Sequence, residues 1–167
     1  DADVDIIECG WLKNTPHEEG TSFYHVPEDL EQYVQKRRED TTYVAMIDWD
    51  RYDLQYLPQR DGKSLDAIRV VFPHGKHREG IAVGKEIEKK GFFQAANTLA
   101  YSDEELVELA EEMNQINPVA VSVVDTFGAM YQEDLERIVH VLNEKLNPQI
   151  RLGFHSHNNQ QLSFALT

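Results

Sequence analysis

SDEELVELAEEMNQINPVAVSVVDTFG, residues 102–128, holds a helix and then a strand. Ser102 followed three residues later by Glu105 makes a capping box, in which each partner satisfies an amide that the first helical turn leaves open. Leu106, Leu109, Ala110 and Met113 recur at the spacing that gathers side chains into one stripe. From Ala120 the pattern changes. Ala120–Thr126 is a nearly continuous apolar run, as expected of a strand buried on both faces. A helix with one apolar stripe feeding a doubly buried strand is the unit of parallel α/β architecture.

Outward from this stretch the same alternation recurs. Further strand runs are Val4–Leu12, Thr42–Asp48, Ala67–Phe72, Phe92–Ala96 and Ile150–His157. Leu135, Ile138, Val139 and Leu142 predict a helix, and Gly91 is placed to end the helix ahead of Phe92. Pro27 suits a first helical position, with Leu30, Tyr33 and Val34 following at helical spacing. Between Trp49 and Lys63 the periodicity is poor, which predicts a short irregular helix.

Strands alternating with helices leave two arrangements, a doubly wound open sheet or a (β/α)₈ barrel. Gly10-Trp11-Leu12-Lys13 follows the first strand where a dinucleotide fold would carry a glycine-rich phosphate loop. Polar residues collect toward the C-terminal ends of the strand runs, where barrel enzymes place their chemistry: Glu8, Asp48, Asp50, His74, Asn97, Asp125, Thr126, His155 and His157. The expectation is therefore an α/β chain forming part of a (β/α)₈ TIM barrel. A whole barrel takes eight strands and roughly 250 residues. The 167 residues supply six strand–helix units and are expected to be one partial domain.

With 30 acidic against 16 basic residues the formal charge is −14, which disfavours nucleic acid and anionic membranes as partners. The apolar content of 41% is that of a globular protein, and no run nears the roughly 20 apolar residues of a membrane span. The single cysteine, Cys9, suits a reducing cytoplasm and reads as a small buried strand residue.

The strongest chemical signal is Gly153-Phe154-His155-Ser156-His157-Asn158-Asn159. Residues i and i+2 of a strand share a face about 6–7 Å apart, so two imidazoles there can converge on one ion. Asp125-Thr126-Phe127-Gly128 ends an apolar strand with an acid, a hydroxyl and a glycine turn. Thr126 is a candidate donor to a substrate carboxylate, or else it and Asp125 satisfy the amides of the following loop. Glu8, near the end of the first strand, needs a cation, a metal or a donor, and an ion pair or an active-site role would each supply one. Asn97 is a further candidate for substrate contact. His74 and His77, flanking Gly75 and Lys76, read as exposed loop histidines.

In order along the chain, Ile6-Ile7-Glu8-Cys9-Gly10, Asp125-Thr126-Phe127-Gly128 and His155-Ser156-His157-Asn158-Asn159 resemble the pyruvate aldolase and acyltransferase superfamily of metal-dependent barrels. His155, His157, Asn159, Leu162 and Ala165 match the pattern of its 4-hydroxy-2-oxovalerate aldolases. Leu166 stands where those often carry Asn, and Tyr131 where many relatives carry Pro. The resemblance implies a carbon–carbon lyase that releases pyruvate from a 4-hydroxy-2-oxo acid. It also implies Mn²⁺ or Mg²⁺, or Zn²⁺, bound by His155 and His157, with the third ligand and the base lying outside this chain. Thr126 would then hold the substrate carboxylate, Glu8 would orient an arginine that, like the third ligand, lies outside this chain, and the six strands would be strands two to seven. Implied partners are a 2-oxo acid and a second copy of the chain or an aldehyde dehydrogenase. The alternatives are a condensing enzyme of the isopropylmalate or homocitrate synthase type, and a catalytically silent barrel fragment.

Overall fold

The computed structural model describes residues 4–98 and 101–166; the side chains of residues 93–98 and 164 lie outside that description. The chain divides into two compact units, Asp1–Val71 with Ala82–Gln94, and Phe72–Ile81 with Ala95–Thr167.

In the first unit, β1 (Ile6–Leu12), β2 (Phe23–Tyr24), β3 (Thr42–Asp48) and β4 (Ala67–Val71) lie in the order β2-β1-β3-β4, all parallel. Val44, Ala45 and Ile47 of β3 and Ile68 and Val70 of β4 are buried, as their continuous apolar runs predict. One connection differs from expectation: the predicted helix after Pro27 is only a 3-10 turn, Pro27–Leu30, whereas the short irregular helix expected between Trp49 and Lys63 is the 3-10 turn Leu54–Tyr56. Isolated helical segments this short do not repay the cost of nucleation; turns bury Leu30, Val34, Tyr52 and Leu57 instead and leave Tyr33 and Tyr56 exposed. The strand–helix repeat is therefore looser here than six regular units.

A closed cluster fastens this unit at Asp66. Its carboxylate accepts from the Tyr43 amide at 2.9 Å, from Arg60 at 2.8 Å and from Arg37 at 2.5 Å. Burial alone would raise the Asp66 carboxyl, but these donors together outweigh it and hold the group below its usual range.

Helix α1 (His77–Lys89) gives its first residues to the second unit and the remainder to the first. It ends as predicted, with Gly91 at φ 83°. β5 (Phe93–Thr98) follows, and from Ala95 it pairs with β6 (Ala120–Asp125), which pairs with β7 (Arg151–Ser156); the order β5-β6-β7 is parallel. α2 (Asp103–Ile116) precedes β6, α3 (Gln132–Lys145) precedes β7, and α4 (Ser163–Leu166) follows it. The predicted stripe of α2 is the buried one, Leu106, Leu109, Ala110 and Met113. The Ser102 hydroxyl and the Glu105 carboxylate cap each other's amides. The ends of α2 and α3 are tied by Asn114 Nδ2, which donates to the Lys145 carbonyl at 2.7 Å, and by the Asn147 amide, which donates to Asn114 at 2.7 Å. No helix among the described residues is long and apolar enough to cross a membrane.

Candidate functional site

Two motifs some thirty residues apart meet at the C-terminal ends of β6 and β7. The register pairs Val124 with His155 and Asp125 with Ser156. His155 lies in β7 and His157 one residue past its end, and their ring centroids are 5.1 Å apart at 68°. His157 Nδ1 lies 2.7 Å from the Asp125 carbonyl oxygen, which makes it the protonated nitrogen and directs Nε2 away as a lone-pair donor. A metal-binding histidine is commonly oriented in this way, through a bond from its other nitrogen to a carbonyl or carboxylate. Both histidines are exposed.

The turn after β6 buttresses that pair. Asp125 is 4% exposed, and its carboxylate accepts from the Ala129 amide at 2.9 Å and the Met130 amide at 3.1 Å. Asp125 therefore organises the turn, and Thr126 is left exposed at its start. Asn159 Nδ2 donates to the Phe127 carbonyl at 2.8 Å, joining the two loops. Gly128, at φ 59°, lets them approach: a Cβ there would lie 2.7 Å from the Asn159 nitrogen and 3.0 Å from the His157 oxygen. Among the described residues no third His, Cys, Asp or Glu joins the two histidines within metal-ligand reach. The side chain of Asn97, the other candidate for substrate contact, lies outside the described residues; its backbone pairs with Ser122.

In the first unit Glu8 sits in the first half of β1, not near its end, ahead of a register shift between Glu8 and Gly10. Its carboxylate takes both arms of Arg69, with Nε at 2.5 Å and Nη2 at 2.8 Å. Arg69 is 8% exposed on β4 and also reaches the Met46 sulfur at 3.0 Å. Sequence reasoning missed Arg69, although one charge inside Ala67-Ile68-Arg69-Val70-Val71 was its signal. Cys9 is half-buried and not fully buried as expected, and burial pushes its thiol up from the usual range. Asp48, also raised by burial, lies 3.8 Å from Arg51.

The expectation of two exposed loop histidines holds for His74, whose Nε2 lies 2.9 Å from Glu105, and fails for His77. His77 is the first residue of α1 and only 9% exposed. Its Nε2 faces Glu108 and Glu112 at 3.9 and 4.0 Å, and neither ring nitrogen makes a hydrogen bond among the described residues. Glu108 and Glu112 are four apart on α2 and therefore share a face. That spacing was legible in the sequence, but its histidine partner was not.

The HMGL-like family profile matches residues 68–167. A 4-hydroxy-2-oxovalerate aldolase of Chloroflexus aurantiacus is 35% identical over 151 residues, 87% of this chain and 43% of that protein. Another, from Thermomicrobium roseum, is 36% identical over 88 residues, 53% of this chain and 24% of the relative. The chain thus spans less than half the length of these relatives. Among solved structures, the carboxyl transferase domain of Rhizobium etli pyruvate carboxylase with pyruvate aligns over 98% of this chain and 30% of its own, at 14% identity and a TM-score of 0.71. HMG-CoA lyase from Bacillus subtilis aligns over 78% and 50%, at 16% identity and a TM-score of 0.58. At these identities the likeness is one of fold, that of the TIM barrel, of which this chain carries part. With more than half of its residues under the family profile, the chain belongs to the HMGL-like family.

Proposed function

We propose that this chain is part of a metal-dependent aldolase that cleaves a 4-hydroxy-2-oxo acid into pyruvate and an aldehyde, with His155 and His157 as two of the metal ligands. The observation that carries the proposal is the pair of adjacent imidazoles, one of them fixed through Nδ1 to the Asp125 carbonyl. The names of the curated relatives supply the substrate class. The donor set fits a divalent ion such as Mn²⁺, Mg²⁺ or Zn²⁺, provided that a carboxylate from outside the described residues completes it. Such an ion would supply stabilisation of the negative charge that develops on the 2-oxo acid as the carbon–carbon bond breaks.

The chain's own residues have separate tasks. The Asp125 carbonyl fixes the tautomer and orientation of His157. Asp125 and Asn159 hold the two loops, so the imidazoles meet an ion without first being ordered. Thr126, exposed in the turn, donates its hydroxyl to the substrate carboxylate, and Asn97 is a second substrate contact. Glu8 is a positioning residue, and Arg69 is the guanidinium it holds. The proposal extends to a cytoplasmic setting and to an aldehyde-oxidising partner or self-association.

The test is pyruvate release from 4-hydroxy-2-oxopentanoate by the full-length protein with Mn²⁺, followed by a coupled NADH assay. Pyruvate should form, and H155A and H157A should each lower kcat about 100-fold or more. Absence of pyruvate together with acetyl-CoA-dependent thiol release would reject the aldolase in favour of a condensing enzyme.

A further inference from the structure

The geometry points to a second site for a divalent transition-metal ion, of the Zn²⁺ class, built from His77 at the start of α1 and from Glu108 and Glu112 of α2. One ligand atom from each of the three lies within 4.8 Å of the others. Two atoms bound to one ion at 2.0–2.2 Å can be at most about 4.4 Å apart. His77 Nε2 is 3.9 Å from Glu108 Oε1 and 4.0 Å from Glu112 Oε1, inside that limit and beyond hydrogen-bonding distance. An ion between them requires only a small contraction.

The histidine supplies an observation independent of the acidic cluster. Its residue is 9% exposed, and both ring nitrogens are shielded from solvent without a hydrogen bond among the described residues. The ring packs edge-on to Tyr101, with centroids 6.1 Å apart. With neither ring nitrogen hydrogen-bonded among the described residues, the imidazole gains no hydrogen bond from the two carboxylates it faces, whereas a bound cation would serve all three groups. One nitrogen and two carboxylate oxygens suit Zn²⁺ better than Mg²⁺, which favours oxygen and retains its waters. Glu108 is 43% exposed, so the site has an entry from solvent.

The carboxylates already have one partner, Arg78. Its Nη2 pairs with Glu108, and its Nε lies 2.9 Å from Glu112. The guanidinium is 69% exposed on a flexible stem and can leave, which makes it a competitor for the ion. This relation separates a metal site from an ordinary ion-pair network: removal of Arg78 should strengthen metal binding.

The test is equilibrium dialysis of the H155A/H157A protein against Zn²⁺, with metal content measured by mass spectrometry; this background removes the other candidate site. One equivalent should bind. Added H77A, and separately the near-isosteric E112Q, should each weaken binding at least about ten-fold. Added R78Q should tighten it. Circular dichroism confirms that each variant remains folded, and E112Q carries the test should H77A fail to fold. No uptake in the H155A/H157A background, or uptake indifferent to E112Q and H77A, would overturn the site. Weaker binding in R78Q would overturn the competition. None of these readings depends on aldolase activity.

Discussion

Glu8 with Arg69 in the first unit and His155 with His157 in the second both place paired polar side chains on parallel strands, but they are completed differently. Arg69 is buried, and both arms of its guanidinium end on Glu8 within the unit. His155 and His157 are exposed, and His157 spends one nitrogen on the Asp125 carbonyl while the other points elsewhere. A polar group whose bonds close inside its own unit stabilises structure. One that is oriented by one bond and left with a lone pair is prepared for a ligand. His77, at the start of α1, fits neither pattern: it is buried, and neither ring nitrogen is hydrogen-bonded among the described residues.

The comparison breaks first at the closed cluster. Glu8→Gln should leave the Arg69 charge, with its side chain 10% exposed, without a counter-ion; because the Glu8 side chain is itself 38% exposed, the cost in urea unfolding should be about 2 kcal/mol, below that of a fully buried pair. The paired replacement E8M/R69M should recover most of that loss, because it removes the stranded charge at the buried Arg69 position. Equal losses in the single and double variants would mean that the pair itself, and not the stranded charge, carries the energy.

Asp66→Asn is next, at about 2 kcal/mol near neutrality, from hydrogen bonds to a charged group. The sign of its pH dependence follows from the lowered Asp66 carboxyl. The stabilisation is present above the unfolded carboxyl value of about 3.9 and disappears as pH falls through the lower folded value. The gap between wild type and D66N should therefore be full at pH 7 and close below about pH 4. A gap that is constant with pH would remove the electrostatic account.

Smaller still, Gly128→Ala should cost about 1–2 kcal/mol, from the left-handed backbone and the Cβ set against Asn159. Its sharper consequence is functional, since the same Cβ crowds the His157 carbonyl. Metal affinity should fall in G128A by more than its modest stability loss suggests, as measured by titration calorimetry. Unchanged affinity would show that the two loops need not be held together.

How much of this was legible in the sequence depends on how local each feature is. α2 was readable because its cap and stripe fall within fifteen residues or so, and both occur as expected in Ser102–Glu105 and Leu106–Met113. The segment after Pro27 misled because Leu30 and Val34 do share one turn, with the Val34 amide bonded to the Leu30 carbonyl at 3.2 Å, yet the turn does not propagate. β2 spans only Phe23–Tyr24, too short for any alternation to register. The nearness of His155 and His157 was legible from their i, i+2 spacing, although β7 ends at Ser156, one residue before His157. Arg69 opposite Glu8, and His77 opposite Glu108 and Glu112, are long-range meetings that no local period records.

The most direct test of the account is pulsed electron paramagnetic resonance of Mn²⁺ bound to the full-length protein, read for nitrogen coupling from imidazole. In an H77A background, which removes the second candidate site, the account predicts ¹⁴N modulation that persists in H77A itself and disappears in H77A/H155A/H157A. Bound Mn²⁺ with no nitrogen coupling in H77A, or coupling that survives in H77A/H155A/H157A, would contradict it.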